Sequence, residues 1–182
     1  MIVIFNSNLF MRIFLSIAAI ALFCSCSTTT IYMTRHAERQ VSEDGVVTSA
    51  TDPDLTAIGK KRADILKDSL HGKHLAVCFA TQYKRTFQTA EPTAIDQRIP
   101  LRRYIADSSN RFIDSLIRTK NKNYLVVGHN TTVPIMLRHI GLHPSMDKIA
   151  ENDYSNFFII TIHSFWGRKI TLTEKKFGLV LN

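Results

Sequence analysis

The chain has little cysteine: three residues among 182, and two of them, Cys24 and Cys26, sit almost side by side near the N-terminus. Cys78 is then the one cysteine left for the folded part, so a disulfide framework is excluded, and its apolar surroundings make it a buried thiol. No internal repeat and no long low-complexity segment occurs, which excludes solenoid and fibrous architectures. The apolar run from Ile13 to Phe23 is too short to span a bilayer as a helix. An acidic excess is also missing: 23 Lys and Arg face 15 Asp and Glu, for a formal net charge of +8. That balance favours anionic partners without choosing among phosphate esters, lipid headgroups and nucleic acid. The basic residues are scattered (Lys60, Lys61, Arg62; Arg102, Arg103; Lys175, Lys176) with no aromatic ladder beside them. They read as solvated surface, and no nucleic-acid partner is expected. What is present is ordinary for a soluble globular protein: 45% hydrophobic and 21% charged residues, enough for one domain with its own core.

The N-terminus reads as a processing signal. Arg12 precedes the apolar run, which ends in Cys24-Ser25-Cys26 and then Ser27-Thr28-Thr29-Thr30. This order resembles a bacterial lipoprotein signal. Small Ser25 suits the position before a lipidated Cys26 better than bulky Phe23 suits Cys24. Residues 1–26 are therefore expected to be the signal, 27–30 a short linker and 31–182 the folded domain. Met11 competes with Met1 as the start. A lipid on Cys26 would tether the domain to a membrane of the bacterial cell envelope, outside the cytoplasm. An ordinary secretory signal, or a buried N-terminal strand, would use similar residues.

Beyond that point, strand-like and helical stretches alternate. Ile31–Met33, Leu75–Ala80, Pro100–Tyr104 and Tyr124–Gly128 read as strands, the second and fourth apolar throughout, as in strands buried on both faces. The polar stretch Gln40–Pro53 is a loop. Thr56 is placed to cap a helix whose apolar face would hold Ile58, Ala63, Leu66 and Leu70. Tyr83–Ala90 reads as a helix ending near Pro92, and further helices are expected over Asn110–Arg118 and Thr131–Ile140. Asn156–His163 and Arg168–Thr173 read as two strands joined at Trp166-Gly167. The expected fold is α/β: a three-layer α/β/α sandwich around a mostly parallel sheet with an antiparallel edge.

His36 and His129 each follow such a strand directly. In open α/β sheets ligands bind at the carboxyl ends of strands, where Arg35 and the Thr81–Arg85 turn also fall. A neutral imidazole is a good nucleophile toward phosphorus, and the phosphohistidine formed is open to water. Guanidinium groups match phosphate geometry and stay charged, so Arg35 and Arg85 suit a transferring phosphoryl group. A protonated His129 would add a donor. An acid must protonate the leaving oxygen. Neither histidine has carboxylate or cysteine neighbours at metal-ligand spacing, so metal hydrolysis is disfavoured and no cofactor is expected.

Four segments occur in one order: Arg35-His36-Ala37-Glu38, Asp54-Leu55-Thr56-Ala57-Ile58-Gly59, Arg85-Thr86-Phe87-Gln88-Thr89-Ala90 and Val126-Val127-Gly128-His129-Asn130. Together they resemble the histidine phosphatase (phosphoglycerate mutase-like) superfamily, and Thr132-Val133-Pro134 and Tyr154–Ile160 look like a small bacterial phosphatase branch. The resemblance implies that His36 is the nucleophile and that Arg35, Arg85 and His129 line the phosphate pocket. It implies a structural role for Leu55-Thr56 and Gly59, and helix packing that fixes Arg85 for Gln88-Thr89-Ala90. Mutases of the family have Gly, Thr and Asn in the region where Ala37, Arg39 and Gln40 stand here, which argues against mutase activity. For the acid, Asp107 falls in the interval where the family places its donor; Glu91 and Glu38 are the alternatives, and Asp107 could instead cap the following helix.

The reading that results is a metal-independent phosphatase acting on small phosphomonoesters through a phosphohistidine on His36. The alternatives are a phosphohistidine or phosphoprotein phosphatase, and a non-catalytic envelope lipoprotein that binds anions. The composition names no substrate and no oligomeric state; Arg39, Arg102 and Arg103 are candidates for reading further anionic groups.

Overall fold

The computed structural model describes residues 27–41, 52–165 and 167–178. The N-terminal signal reading with Cys26, most of the expected Gln40–Pro53 loop and Trp166 lie outside the described residues. Along the chain run β1 (Ser27–Arg35), α1 (Ala57–Leu70), β2 (Leu75–Thr81), α2 (Lys84–Asp96), β3 (Leu101–Tyr104), a 3-10 turn (Ala106–Ser108), α3 (Ser109–Leu116), β4 (Asn123–Gly128), α4 (Thr132–His139), β5 (Asn156–Ser164) and β6 (Arg168–Lys176).

One sheet holds all six strands in the order β3-β2-β4-β1-β5-β6. The first four are mutually parallel, while β5 and β6 form an antiparallel hairpin along β1. The expected α/β architecture is therefore present, with an antiparallel edge two strands wide. Alternating side chains divide the core. On one face, Ile113 and Leu116 of α3 and Val133, Met136 and Leu137 of α4 pack on Ile31, Met33, Val126 and Phe158. On the other, Leu66 and Leu70 of α1 and Ala90 and Ala94 of α2 pack on Cys78, Ala80, Leu125 and Val127. Such burial, at about 25 cal/mol per Å² of apolar surface, is the main term holding the layers together. Among the described residues, no helix is long and apolar enough to cross a membrane.

Three local expectations need correction. Ser27–Thr30 is the start of β1, paired with β5, and not a linker. Threonines suit a pleated strand, Ser27 and Thr29 turn inward, and the Thr29 hydroxyl donates to the Thr119 carbonyl at 3.0 Å. Ile58 does not join the buried face of α1; it is 42% exposed, while Gly59, Arg62, Ala63, Leu66 and Leu70 are buried at helical spacing. Pro92 does not stop α2. It lacks the N–H that would reach the Gln88 carbonyl, yet burial of Thr93 and Ala94 carries the helix on to Asp96. The Thr56 cap is as expected, its hydroxyl accepting from the Gly59 N–H at 3.0 Å.

Candidate active site

Strand register brings the site together. In the parallel pair β1–β4, Arg35 stands opposite Gly128, so the next residues, His36 and His129, emerge side by side. The His36 N–H donates to the Gly128 carbonyl at 3.0 Å and locks that register. On the other side of β4, Ala80 pairs with Val127, which sets Thr81 at the end of β2 beside His129. Tyr104 pairs with Thr81, so the turn after β3 brings Asp107 to the same edge. Arg35, His36, Arg39, Tyr83, Arg85, Asp107, His129 and Glu151 thus share one cleft of about 330 Å³.

Hydrogen bonds assign the imidazole protons. His36 Nδ1 lies 2.7 Å from the Ala37 carbonyl oxygen, which can only accept, so Nδ1 carries the hydrogen and Nε2 keeps its lone pair. Burial, then His129, Arg35 and Arg85, hold His36 well below the usual histidine range, so the ring is neutral at physiological pH. For His129 the assignment runs along a chain. The Thr86 hydroxyl donates to the Tyr83 carbonyl at 2.7 Å, so it accepts from Thr81 at 2.8 Å. The Thr81 oxygen must then accept from His129 Nε2 at 3.0 Å. This commits the hydrogen of neutral His129 to Nε2 and leaves Nδ1 as a lone pair. Burial, reinforced by Arg85, Arg35 and Arg39, lowers His129 to about 3. The two rings stand edge to face with centroids 5.5 Å apart.

The arginines are fixed by different means. Arg35 Nη1 donates to the carbonyls of Ala150, Glu151 and Asp153 at 2.8, 2.9 and 3.3 Å, and Nη2 meets the Glu151 carboxylate at 3.2 Å. Its guanidinium stacks 4.2 Å from the Tyr154 ring centre. Arg85 lies 4.4 Å from the Tyr83 ring centre and 3.5 Å from an Asp52 oxygen. In both arginines Nε is buried without a partner. A buried donor left empty costs about 1–3 kcal/mol, so an acceptor that reached either Nε would recover that cost.

Around the His36 loop, Gln88 and Thr89 do more than pack. The Thr89 hydroxyl donates to the Arg85 carbonyl at 2.7 Å and accepts the Ala37 N–H at 3.0 Å, tying the His36 loop to α2. Gln88 accepts from the Leu55 N–H at 2.8 Å and donates to Asp54 at 2.9 Å. A Cβ at Gly59 would collide with the Glu38 carbonyl oxygen, which explains the glycine.

The three acid candidates part company. Glu38 is held by buried Arg62, whose Nη2 lies 2.6 Å from Oε1 and whose Nε reaches both oxygens at 2.9 Å; it builds the loop and does not line the cleft. Glu91 is exposed on α2 and does not line it either. Asp107 does, and it does not cap α3: the cap position is Ser108. Arg102 and Arg103 point out of β3, exposed, and Arg103 stacks on Phe87. Sequence reasoning passed over Asp52 and Glu151 around the arginines; it placed the Thr81–Arg85 turn at the site but gave no role to Tyr83 beside Arg85 or to Thr81 and Thr86 behind His129. The buried polar threonines at a strand end were the one available signal. The Cys78 thiol is buried and pushed up to about 12, so it is inert. No group of three or more potential metal ligands occurs among the described residues.

Comparison with known proteins agrees with this layout. Residues 31–106 match the model of the histidine phosphatase superfamily (branch 1), a span containing His36 and Arg85. Phosphoserine phosphatase 1 of Hydrogenobacter thermophilus is 38% identical over 60 residues, covering 33% of this chain and 28% of that relative's length. The Bacillus stearothermophilus protein YhfR shares the fold with a TM-score of 0.63 at 16% identity, over 79% of this chain and 96% of its own. A mycobacterial glucosyl-3-phosphoglycerate phosphatase shares it with a TM-score of 0.65 at 11% identity, over 82% and 99%. The family match thus covers the motif region over less than half of the chain, and the solved structures share the α/β fold over most of it, so the chain resembles the histidine phosphatase superfamily in that region.

Proposed function

We propose that the protein is a phosphatase that hydrolyses small phosphomonoesters through a phosphohistidine on His36. The observation that carries this reading is a neutral His36, with Nε2 left as a lone pair, sharing a cleft with two arginines whose buried Nε donors are empty. His36 Nε2 attacks phosphorus, the N–P bond forms and the ester P–O bond breaks, and the departing oxygen takes a proton from Asp107. Water then attacks the phosphohistidine, giving its proton back to the Asp107 carboxylate and releasing phosphate and free His36. Arg35, Arg85 and protonated His129 neutralise the equatorial oxygens throughout, needing no metal ion. Purified protein starting at Ser27 should hydrolyse p-nitrophenyl phosphate, and His36→Ala should abolish turnover. Activity that persists in His36→Ala, or that a chelator removes, would sink the mechanism.

We also infer a lipid anchor on Cys26. Its support is the order of Arg12, the apolar run and Ser25-Cys26. Because β1 begins at Ser27 and the site lies at the strand's other end, an anchor there would face the cleft away from the membrane.

A further inference from the structure

Arg39 is a third guanidinium on the cleft, and the phosphate reading above leaves it unused. Its backbone is held by a bridge to Leu55 and by the Gln40 N–H, which donates to the Asp54 carbonyl at 2.9 Å, so the side chain starts from a fixed base. The other two arginines each have a carboxylate: Glu151 for Arg35, Asp52 for Arg85. Arg39 makes no ion pair or side-chain hydrogen bond with any described residue. The charge nevertheless reaches the site, because it lowers the proton affinity of Arg35, Arg85 and His129.

Neither carboxylate lining the cleft, Glu151 or Asp107, pairs with Arg39. Glu151 is taken by Arg35, Asn130 and Lys148, while Asp107 sits after β3. In the phosphatase reading a single phosphoryl group is met by Arg35, Arg85 and His129, which line the same cleft. Arg39, a third guanidinium on the cleft with no ion pair to a described residue, is placed to meet a separate acceptor.

We propose that the preferred substrate is a phosphomonoester bearing a second anionic group, a carboxylate or another phosphate, and that Arg39 is the residue that binds it. This rests on the phosphatase reading and names the substrate class for the same cleft. Guanidinium binding of an anion in a part-buried position contributes roughly a factor of ten or more in kcat/KM.

The test uses two matched pairs. O-phosphoserine and O-phosphoethanolamine differ by one carboxylate; propane-1,3-diol bisphosphate and propyl phosphate differ by one phosphate. Wild-type protein should prefer the more anionic member of at least one pair by about tenfold in kcat/KM, and the pair concerned identifies the anion. In Arg39→Ala that preference should collapse toward unity, with Arg39→Lys recovering part of it. Because the readout is a ratio within one protein, a general loss of activity does not mimic the effect. Equal rates within both pairs for wild type, or a preference that survives in Arg39→Ala, would overturn the role of Arg39 and leave the phosphatase reading intact. If wild type hydrolyses none of the four esters, the phosphatase reading fails instead. Arg39 is then judged by calorimetric Kd values of the same pairs for wild type and Arg39→Ala, where an unchanged ratio refutes it.

Discussion

Binding of a tetrahedral dianion should draw one proton onto His129. In the empty cleft its neutral form donates through Nε2 to Thr81, so Nδ1 can offer a ligand only a lone pair. To donate to a phosphoryl oxygen while keeping Thr81, the ring must become imidazolium. Raising its pKa from about 3 to 7 requires about 5 kcal/mol at about 1.4 kcal/mol per unit. A unit charge about 4 Å away, at an effective dielectric constant of about 20, supplies about 4 kcal/mol. A monoanion falls short of the requirement, whereas a dianion, at about 8 kcal/mol, exceeds it. Only one ring takes the proton, because two imidazolium ions with centroids 5.5 Å apart would repel. Tungstate, which does not titrate near pH 7, is the suitable probe. Calorimetry in buffers of different ionisation enthalpy should show uptake of about one proton per site at pH 7. His36→Asn should retain that uptake and His129→Gln should lose it. Thr81→Val should reduce it as well, since a ring freed from Thr81 can place its hydrogen on Nδ1 while neutral. Binding of tungstate with no proton uptake, or uptake that persists in His129→Gln, would refute the tautomer assignment.

Other consequences are open to simpler measurements. Asp107→Asn should slow alkyl phosphates far more than p-nitrophenyl phosphate, while Glu91→Gln should spare both; equal losses on good and poor leaving groups would reject Asp107 as the proton donor. Gly59→Ala should lower the unfolding free energy by about 2–3 kcal/mol in denaturant titration, because the new methyl meets backbone that cannot yield, and an unchanged midpoint would show that the loop relaxes. Metabolic labelling with a fatty acid should fail in Cys26→Ala of the full chain; undiminished labelling would move the anchor, with Cys24 next to be tested.

Much of this was open to reading in one dimension, for definable reasons. Apolar runs of strand length announce buried parallel strands, as Leu75–Ala80 and Tyr124–Gly128 did, because both faces of such strands meet helices. Histidines directly after two of those runs fall at carboxyl ends, where the fold opens a cleft. The motif residues His36, Arg35, Arg85 and His129 converge there. Periodicity was less informative where a polar residue is buried for a partner far away in sequence. Arg62 occupies a core position of α1 because Glu38 meets it, and no helical pattern signals that pair. Ser27–Thr30 looked like a tether because its residues are small and polar; only pairing with β5 makes them a strand.

The sequence alone therefore determined the order of elements, the fold class and the types of group available for phosphoryl chemistry, since hydrophobic period and local motifs are properties of neighbouring residues. The tertiary structure decided what depends on contacts between distant segments. Strand register puts His36 against His129, Thr81 and Thr86 settle which nitrogen of His129 holds its hydrogen, and the cleft admits Asp107 while Arg62 takes Glu38. Proton positions and free donors follow from angstrom-scale neighbours, and the chain acquires those neighbours only on folding.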